Sequence, residues 1–180
     1  MTVDGMDSRQ YHPHQLRDAM RFVGQDSELF SGSVRDNLML GAAQATDNQL
    51  IDAVVRSGAD IFLSRDAAGF DLTVGERGSQ LSGGQRSLLV LARALVSPCK
   101  LLFLDEPSGA MDTQTELYFI EHLKTALAPD QTLMVATHRH NMLSILDRLI
   151  VIDGGRIIAD GPRDQVLGHI GNTPKKDAPQ

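Results

Sequence analysis

Four consecutive apolar residues, Leu101-Leu102-Phe103-Leu104, end in two adjacent carboxylates, Asp105 and Glu106. A run this short, without polar alternation, suits a strand of a parallel sheet covered on both faces. Parallel neighbours need long crossovers, usually helical, so helical periodicity should stand on either side of it. Upstream, Ser82 suits the cap of a helix over 82–96, with Leu88, Leu89, Leu91, Ala92 and Leu95 apolar and Pro98 beyond its end. Downstream, the spacing predicts a helix over 112–126, a second buried strand over 132–136 and a third over 149–152. Gly154-Gly155 then joins that strand to another over 156–159, which reads as a hairpin, and a closing helix follows over 162–167. Nearer the start, Pro13 opens a short helix to about residue 20, and residues 21–23 form a short strand. Ser33 caps a helical turn to residue 40. Thr46 caps a better helix with Leu50, Ile51, Val54 and Val55 on one face and Gly58 after its end. Residues 61–65 are a further short helix. Strands alternating with helices predict an α/β sheet with helices on both faces.

Composition narrows what such a sheet can do. The 180 residues, 42% of them hydrophobic, suit one domain with a sizeable core and are short for two. No stretch approaches the roughly 18–20 apolar residues of a membrane span, and the N-terminus has no signal-peptide pattern. A net charge of −6 argues against a general electrostatic grip on nucleic acid. Aromatic content of 4%, without Trp, argues against stacking platforms for bases or sugars. The single Cys99 excludes an intramolecular disulfide and fits a reducing compartment. Residues 169–180 read as a flexible, polar tail, and the first dozen residues as a lead-in rather than a core element.

Ligands of parallel sheets gather at the carboxyl ends of the strands. There Asp105 suits a Mg²⁺ shell and Glu106 suits polarising an attacking water, although a strand running into a solvated acidic loop would look the same. His138 follows the strand ending at Ala136 and could reach the same crevice to bond a phosphate. Alone, it is more often a surface histidine. The string Leu81-Ser82-Gly83-Gly84-Gln85 opens a helix, where free N–H groups and the helix dipole favour an anion. An ordinary serine cap with turn glycines reads identically. Gln25, just after the strand 21–23, carries both a donor and an acceptor and could sense a phosphate and a metal-bound water together.

Together these residues carry a more specific signal than any one of them. Gln25, Leu81-Ser82-Gly83-Gly84-Gln85, Asp105-Glu106, residues 108–112 and His138 resemble, in order and approximate spacing, the ATP-binding cassette ATPases. The resemblance covers the chain to about residue 168 and is to the nucleotide-binding domain of an ABC transporter. It implies a P-loop NTPase-like (RecA-like) parallel sheet flanked by helices, with an α-helical signature subdomain, about 30–97, inserted in the α/β core. It implies ATP and Mg²⁺ as cofactors, with Glu106 and His138 catalytic and Asp105 and Gln25 at the metal. Ser82, Gly83, Gly84, Gln85, Asp112 and Gln25 are implied at the nucleotide, the 81–85 string meeting the γ-phosphate held by an opposite subunit. The implied partners are a transmembrane domain and a second nucleotide-binding domain in a head-to-tail dimer, with no nucleic acid. The implied location is the cytoplasmic face of a bacterial inner membrane. The segment Thr73-Val74-Gly75-Glu76-Arg77-Gly78 resembles one that touches the intracellular loops of exporters. Residues 147–153 and 159–162 resemble type I secretion exporters, which move proteins or peptides.

The family's G-x-x-x-x-G-K-[ST] loop does not occur, and no glycine is followed by lysine. The chain is therefore expected to be the C-terminal part of such a domain, inactive by itself. Without the strand that carries the loop, the strands 132–136 and 149–152 are expected to keep unpaired edges. One alternative is a regulatory module that completes a partner's ATP site in trans. Glu106 and His138 would be superfluous in such a module. Another is a soluble ATPase of DNA repair, whose long coiled-coil insertions are not seen here.

Overall fold

The computed structural model describes residues 2–3 and 5–171. The chain divides into two compact units, Met1–His138 and Arg139–Gln180. In the first, β1 (Thr2–Val3) and β2 (Met6–Asp7) form a small antiparallel hairpin. It is turned by Gly5 at φ +80°, and the Tyr11 hydroxyl donates to the Val3 carbonyl at 3.0 Å. The lead-in thus holds a pair of short strands that its polar sequence does not announce. Helix α1 (Pro13–Ala19) starts with proline in its first turn and is capped by His12 and Gln15. It runs directly into β3 (Met20–Val23). Reciprocal capping boxes start α2 (Val34–Met39), through Ser33 and Asp36, and α3 (Asp47–Ser57), through Thr46 and Gln49. Gly58, left-handed at φ +79°, ends α3, and the short α4 (Asp60–Leu63) follows. Helix α5 (Gly83–Leu95), β4 (Leu101–Asp105), α6 (Thr113–Ala126) and β5 (Thr132–Ala136) complete the unit.

The α/β class expected from the sequence is the class observed. Strands β3, β4 and β5 form a parallel sheet in that order, with Val23, Leu104 and Val135 in one cross-strand row and Phe22, Phe103 and Met134 in the next. The pleat sends alternate rows to opposite faces. One face carries the fully buried Leu102 and Leu104. The core continues in Leu88, Leu89, Leu91 and Leu95 of α5 and in Phe119, Ile120 and Leu123 of α6. Helix α5 packs on α2, α3, α6 and β3. The other face is largely open. Phe22 is 66% exposed and covers itself in part by tilting against Phe103 at 5.4 Å between ring centroids. The apolar run therefore has helical cover on one face, not on both, among the described residues.

In the second unit, β6 (Arg148–Asp153) and β7 (Arg156–Pro162) form an antiparallel hairpin about Gly154-Gly155, and α7 (Arg163–Gly171) follows. The third strand was expected to be buried. Only Leu149 in it is, while Ile150 and Ile152 are exposed, because successive side chains alternate between the two faces and these two share the less covered one; among the described residues β6 has a neighbour on one edge alone. Likewise β5 pairs with β4 alone, so both strands keep the unpaired edge expected of them. Helix α7 reaches Gly171, which makes the first residues of the expected tail helical. Residues 172–180 lie outside the described residues.

One helix face differs from its expectation. On α3 the buried residues are Leu50, Ala53, Val54 and Ser57, a stripe at i, i+3, i+4 and i+7. Ile51 and Val55 lie about 100° further round and are half exposed. The contrast is testable by chemical denaturation. Leu50→Ala (1% exposed) should cost about 2–5 kcal/mol, and Ile51→Ala (49% exposed) about 1 kcal/mol or less.

Candidate functional site

The strand β4 ends on Asp105, and the next residue leaves extended geometry. Glu106 has φ +48°, a left-handed backbone that non-glycine residues adopt at a cost of about 1–3 kcal/mol. Its successor is Pro107, which restricts the preceding residue further. The conformation persists because it is held from several sides. The Glu106 N–H donates to the Ala136 carbonyl at 2.9 Å, and the Gly109 N–H donates to the Glu106 carbonyl at 3.1 Å. The register of β4 and β5, which pairs Asp105 with Ala136, brings the residues just after both strands together. As a result Glu106 Oε1 accepts two hydrogen bonds from His138, one from ring Nδ1 at 2.7 Å and one from the backbone N–H at 3.2 Å. A carboxylate oxygen can only accept, so in this geometry the ring Nδ1 is the donor. Glu106 Oε2 is buried and has no hydrogen-bond partner among the described residues. A buried carboxylate oxygen without a donor is costly to keep, and such atoms cluster where a ligand or water is received. The His138 ring itself is largely exposed.

A cavity of about 590 Å³ adjoins this pair and is lined by Gln25, Gly83, Glu106 and His138, all four foreseen from the sequence. Ser82, Gly84, Gln85, Asp105 and Asp112 do not line it. The reasons are local. The Ser82 hydroxyl accepts from the Gln85 N–H at 3.2 Å, and Gln85 Oε1 accepts from the Ser82 N–H at 2.8 Å. Both side chains thus close the first turn of α5 as a capping box. Gly84 is buried, and a Cβ there would lie 2.8 Å from Thr115 Cγ2. A Cβ on Gly83 would lie 2.8 Å from the Ala110 carbonyl oxygen. The glycines of the 81–85 string therefore let the start of α5 press against the turn that follows Glu106. Asp112 is the N-cap of α6. Its carboxylate accepts from the Thr115 N–H and from Thr115 Oγ1, each at 2.9 Å, and these bonds hold its carboxyl below the ordinary carboxylate value.

Gln25 sits in a turn where the Ser27 hydroxyl accepts from the Gly24 N–H at 2.9 Å. Two arginines grip the end of that turn. Arg77 Nε lies 3.3 Å from Glu28 Oε1, and Arg93 Nη1 donates to the Glu28 carbonyl at 3.0 Å. Arg77 is itself left-handed at φ +51°. The segment before it is laced to residues 32–34, with the Val34 N–H on the Leu72 carbonyl and the Val74 N–H on the Gly32 carbonyl. Sequence reasoning did not single out Glu28, Arg86 or Arg93. Arg86 lines the cavity, and its place directly after the 81–85 string was the signal available for it. Among the described residues, no three His, Cys, Asp or Glu side chains gather as a metal site, and no helix is long and apolar enough to cross a membrane.

Fold and site together define a parallel α/β protein whose chemistry stands at the carboxyl ends of its strands. The chain belongs to the ABC transporter family, whose family model matches residues 1–109. It is similar to an uncharacterized ABC transporter ATP-binding protein, y4gM, of Sinorhizobium fredii, with 35% identity over 95% of this chain and 29% of that protein. It is also similar to the lactococcin transport/processing ATP-binding protein LcnC-like of Lactococcus lactis, with 36% identity over 95% of this chain and 24% of that one. Among solved structures, a bacterial Atm1-family ABC exporter with ATP bound matches with a TM-score of 0.85 and 32% identity, over 93% of this chain and 30% of that chain. The chain thus spans under a third of the length of these relatives.

Two outcomes follow from the geometry. Gly84→Ala should destabilise the chain by about 1–3 kcal/mol through overpacking. Thr115→Ser, which removes the opposing methyl and keeps the hydroxyl, should recover much of that loss in a double-mutant cycle read by urea denaturation. Asp112 is held below its ordinary value in the folded chain. Its stabilisation is therefore complete above the ordinary carboxylate range and is lost as the pH falls through the lowered folded value. Thermal melts of the parent and of Asp112→Asn should differ at neutral pH and converge at the acid end of a pH series.

Proposed function

We propose that this chain is part of the ATPase domain of an ABC exporter and contributes the hydrolytic half of its nucleotide site. The observation that carries the reading is the Glu106 carboxylate. It is fixed to His138 through one oxygen, buried and without a hydrogen-bond partner among the described residues at the other, and part of the lining of a cavity. When bound, Mg·ATP supplies the electrophilic terminal phosphate. Glu106 orients the attacking water and accepts its proton. His138, with Nδ1 donating to Glu106, donates from its other ring nitrogen to a phosphate oxygen when the ring is an imidazolium. Asp105 and Gln25 suit Mg²⁺, which in nucleotide sites takes one or two carboxylates and completes its shell with phosphate and water.

The 81–85 string and Asp112 serve a second nucleotide, held by the opposite domain of a head-to-tail pair. The capping box engages the Ser82 and Gln85 N–H groups, so the Gly83 and Gly84 N–H groups are the anion-facing set. A phosphate cradle must come from residues other than these 180, since no G-x-x-x-x-G-K-[ST] occurs among them. The chain by itself should neither bind MgATP saturably at millimolar nucleotide nor hydrolyse it. The transmembrane domain of the exporter is its membrane partner, at the cytoplasmic face of a bacterial inner membrane. Cargo of the peptide or protein class is supported by the lactococcin relative. Another relative, from Bartonella bacilliformis, is named for beta-(1→2)glucan export, so the exporter assignment stands on broader ground than the cargo. A purely regulatory role is disfavoured by the intact pairing of Glu106 with His138.

In a transporter carrying this domain with its phosphate loop, Glu106→Gln should lower ATP turnover by about 10²–10⁴-fold. ATP binding should be retained, because the glutamine keeps the shape and loses the base. Steady-state hydrolysis near the parent rate would remove Glu106 from that role. Micromolar MgATP affinity of the isolated chain in calorimetry would contradict the need for an added cradle.

A further inference from the structure

Glu116 is a buried carboxylate for which the proposed hydrolysis has no use. It is 2% exposed, in the first turn of α6. Its Oε1 accepts a hydrogen bond at 2.8 Å from the hydroxyl of Ser108, which is buried as well. Ser108 belongs to the turn that leaves Glu106, and its carbonyl accepts from the Met111 N–H at 3.0 Å. Acidic side chains are almost never buried without a specific partner. To Ser108, Glu116 supplies a fixed acceptor that ties the helix to the turn two residues beyond Glu106. The tie is aimed at a strained place, since Glu106 keeps φ +48° before a proline. A turn released at Ser108 would be free to relax that angle and swing the carboxylate away from His138.

We propose that Glu116 is a positioning residue: through Ser108 it locks the 106–111 turn in the conformation that presents the Glu106 carboxylate to His138. The same short stretch caps α6 through Asp112 and meets Gly84 through the methyl of Thr115. The lock thus registers the catalytic carboxylate against the start of α5. The consequence for hydrolysis rests on the ATPase reading, whereas the positioning itself does not.

The test needs no nucleotide, so a failure of the ATPase reading and a failure of this proposal are separately visible. The full chain, labelled with ¹⁵N, gives the His138 ring nitrogens and backbone amide by NMR. Glu106→Ala defines their shifts when the pairing is lost. Ser108→Ala removes the donor and leaves the other contacts of Glu116 in place. Its His138 signals should move to the Glu106→Ala positions. Leu123→Ala, fully buried on the same helix, should lower the melting temperature and leave those signals in place. The proposal is overturned if the folded variant keeps the parent His138 signals, or if Leu123→Ala shifts them equally.

Discussion

The hydrogen bond between Glu106 and His138 joins the ends of two neighbouring parallel strands, and the candidate site is arranged around it. Its existence depends on register. With Asp105 opposite Ala136, one residue past β4 meets two residues past β5. It depends equally on the left-handed backbone at Glu106, which turns the carboxylate out of the strand direction. A one-residue slip between the strands would send alternate side chains to the wrong face. It would bury Phe103 and expose Leu102 and Leu104, so the packing of the apolar core protects the geometry of the site. Hydrophobic burial and catalytic placement are here consequences of a single register.

The start of α5 shows how one short string can satisfy two demands. Gly83 and Gly84 sit where a Cβ would collide with Ala110 and Thr115, so close packing alone requires glycine. The same absence of side chains leaves first-turn N–H groups open to an anion. Ser82 and Gln85 cap each other, which stabilises the helix end and keeps their polar atoms in place beside it.

Much of this was legible in the sequence, and the parts that were not have physical causes. Caps and breakers are local. Ser33, Thr46 and Ser82 announced their helices, and Gly58 the end of α3, because a cap is made by residues within three or four positions of one another. The candidate site at Asp105-Glu106 was legible only from its order and spacing with Gln25, the 81–85 string and His138, since an apolar run into a solvated acidic loop looks the same alone. Burial was less legible where it depends on distant neighbours. The third apolar run gives an exposed β6, and α3 turns Leu50 rather than Ile51 inward. The left-handed Glu106 and the buried Ser108–Glu116 pair were not legible at all. Glutamate before proline carries no sign of positive φ, and a glutamate in the first turn of a helix reads as a solvated partner of the helix dipole.

The central claim is that Glu106 and His138 act on one nucleotide while Ser82 and Gly84 of the same chain serve another. A crystal structure of the full transporter bearing this domain, trapped with Mg·ATP, tests it most directly. The account predicts Glu106 and His138 at the terminal phosphate of a nucleotide held by their own domain, and the first turn of α5 at the nucleotide of the opposite domain. Finding Glu106 turned away from the terminal phosphate, or the first turn of α5 and Glu106 of one chain on the same phosphate, would contradict it.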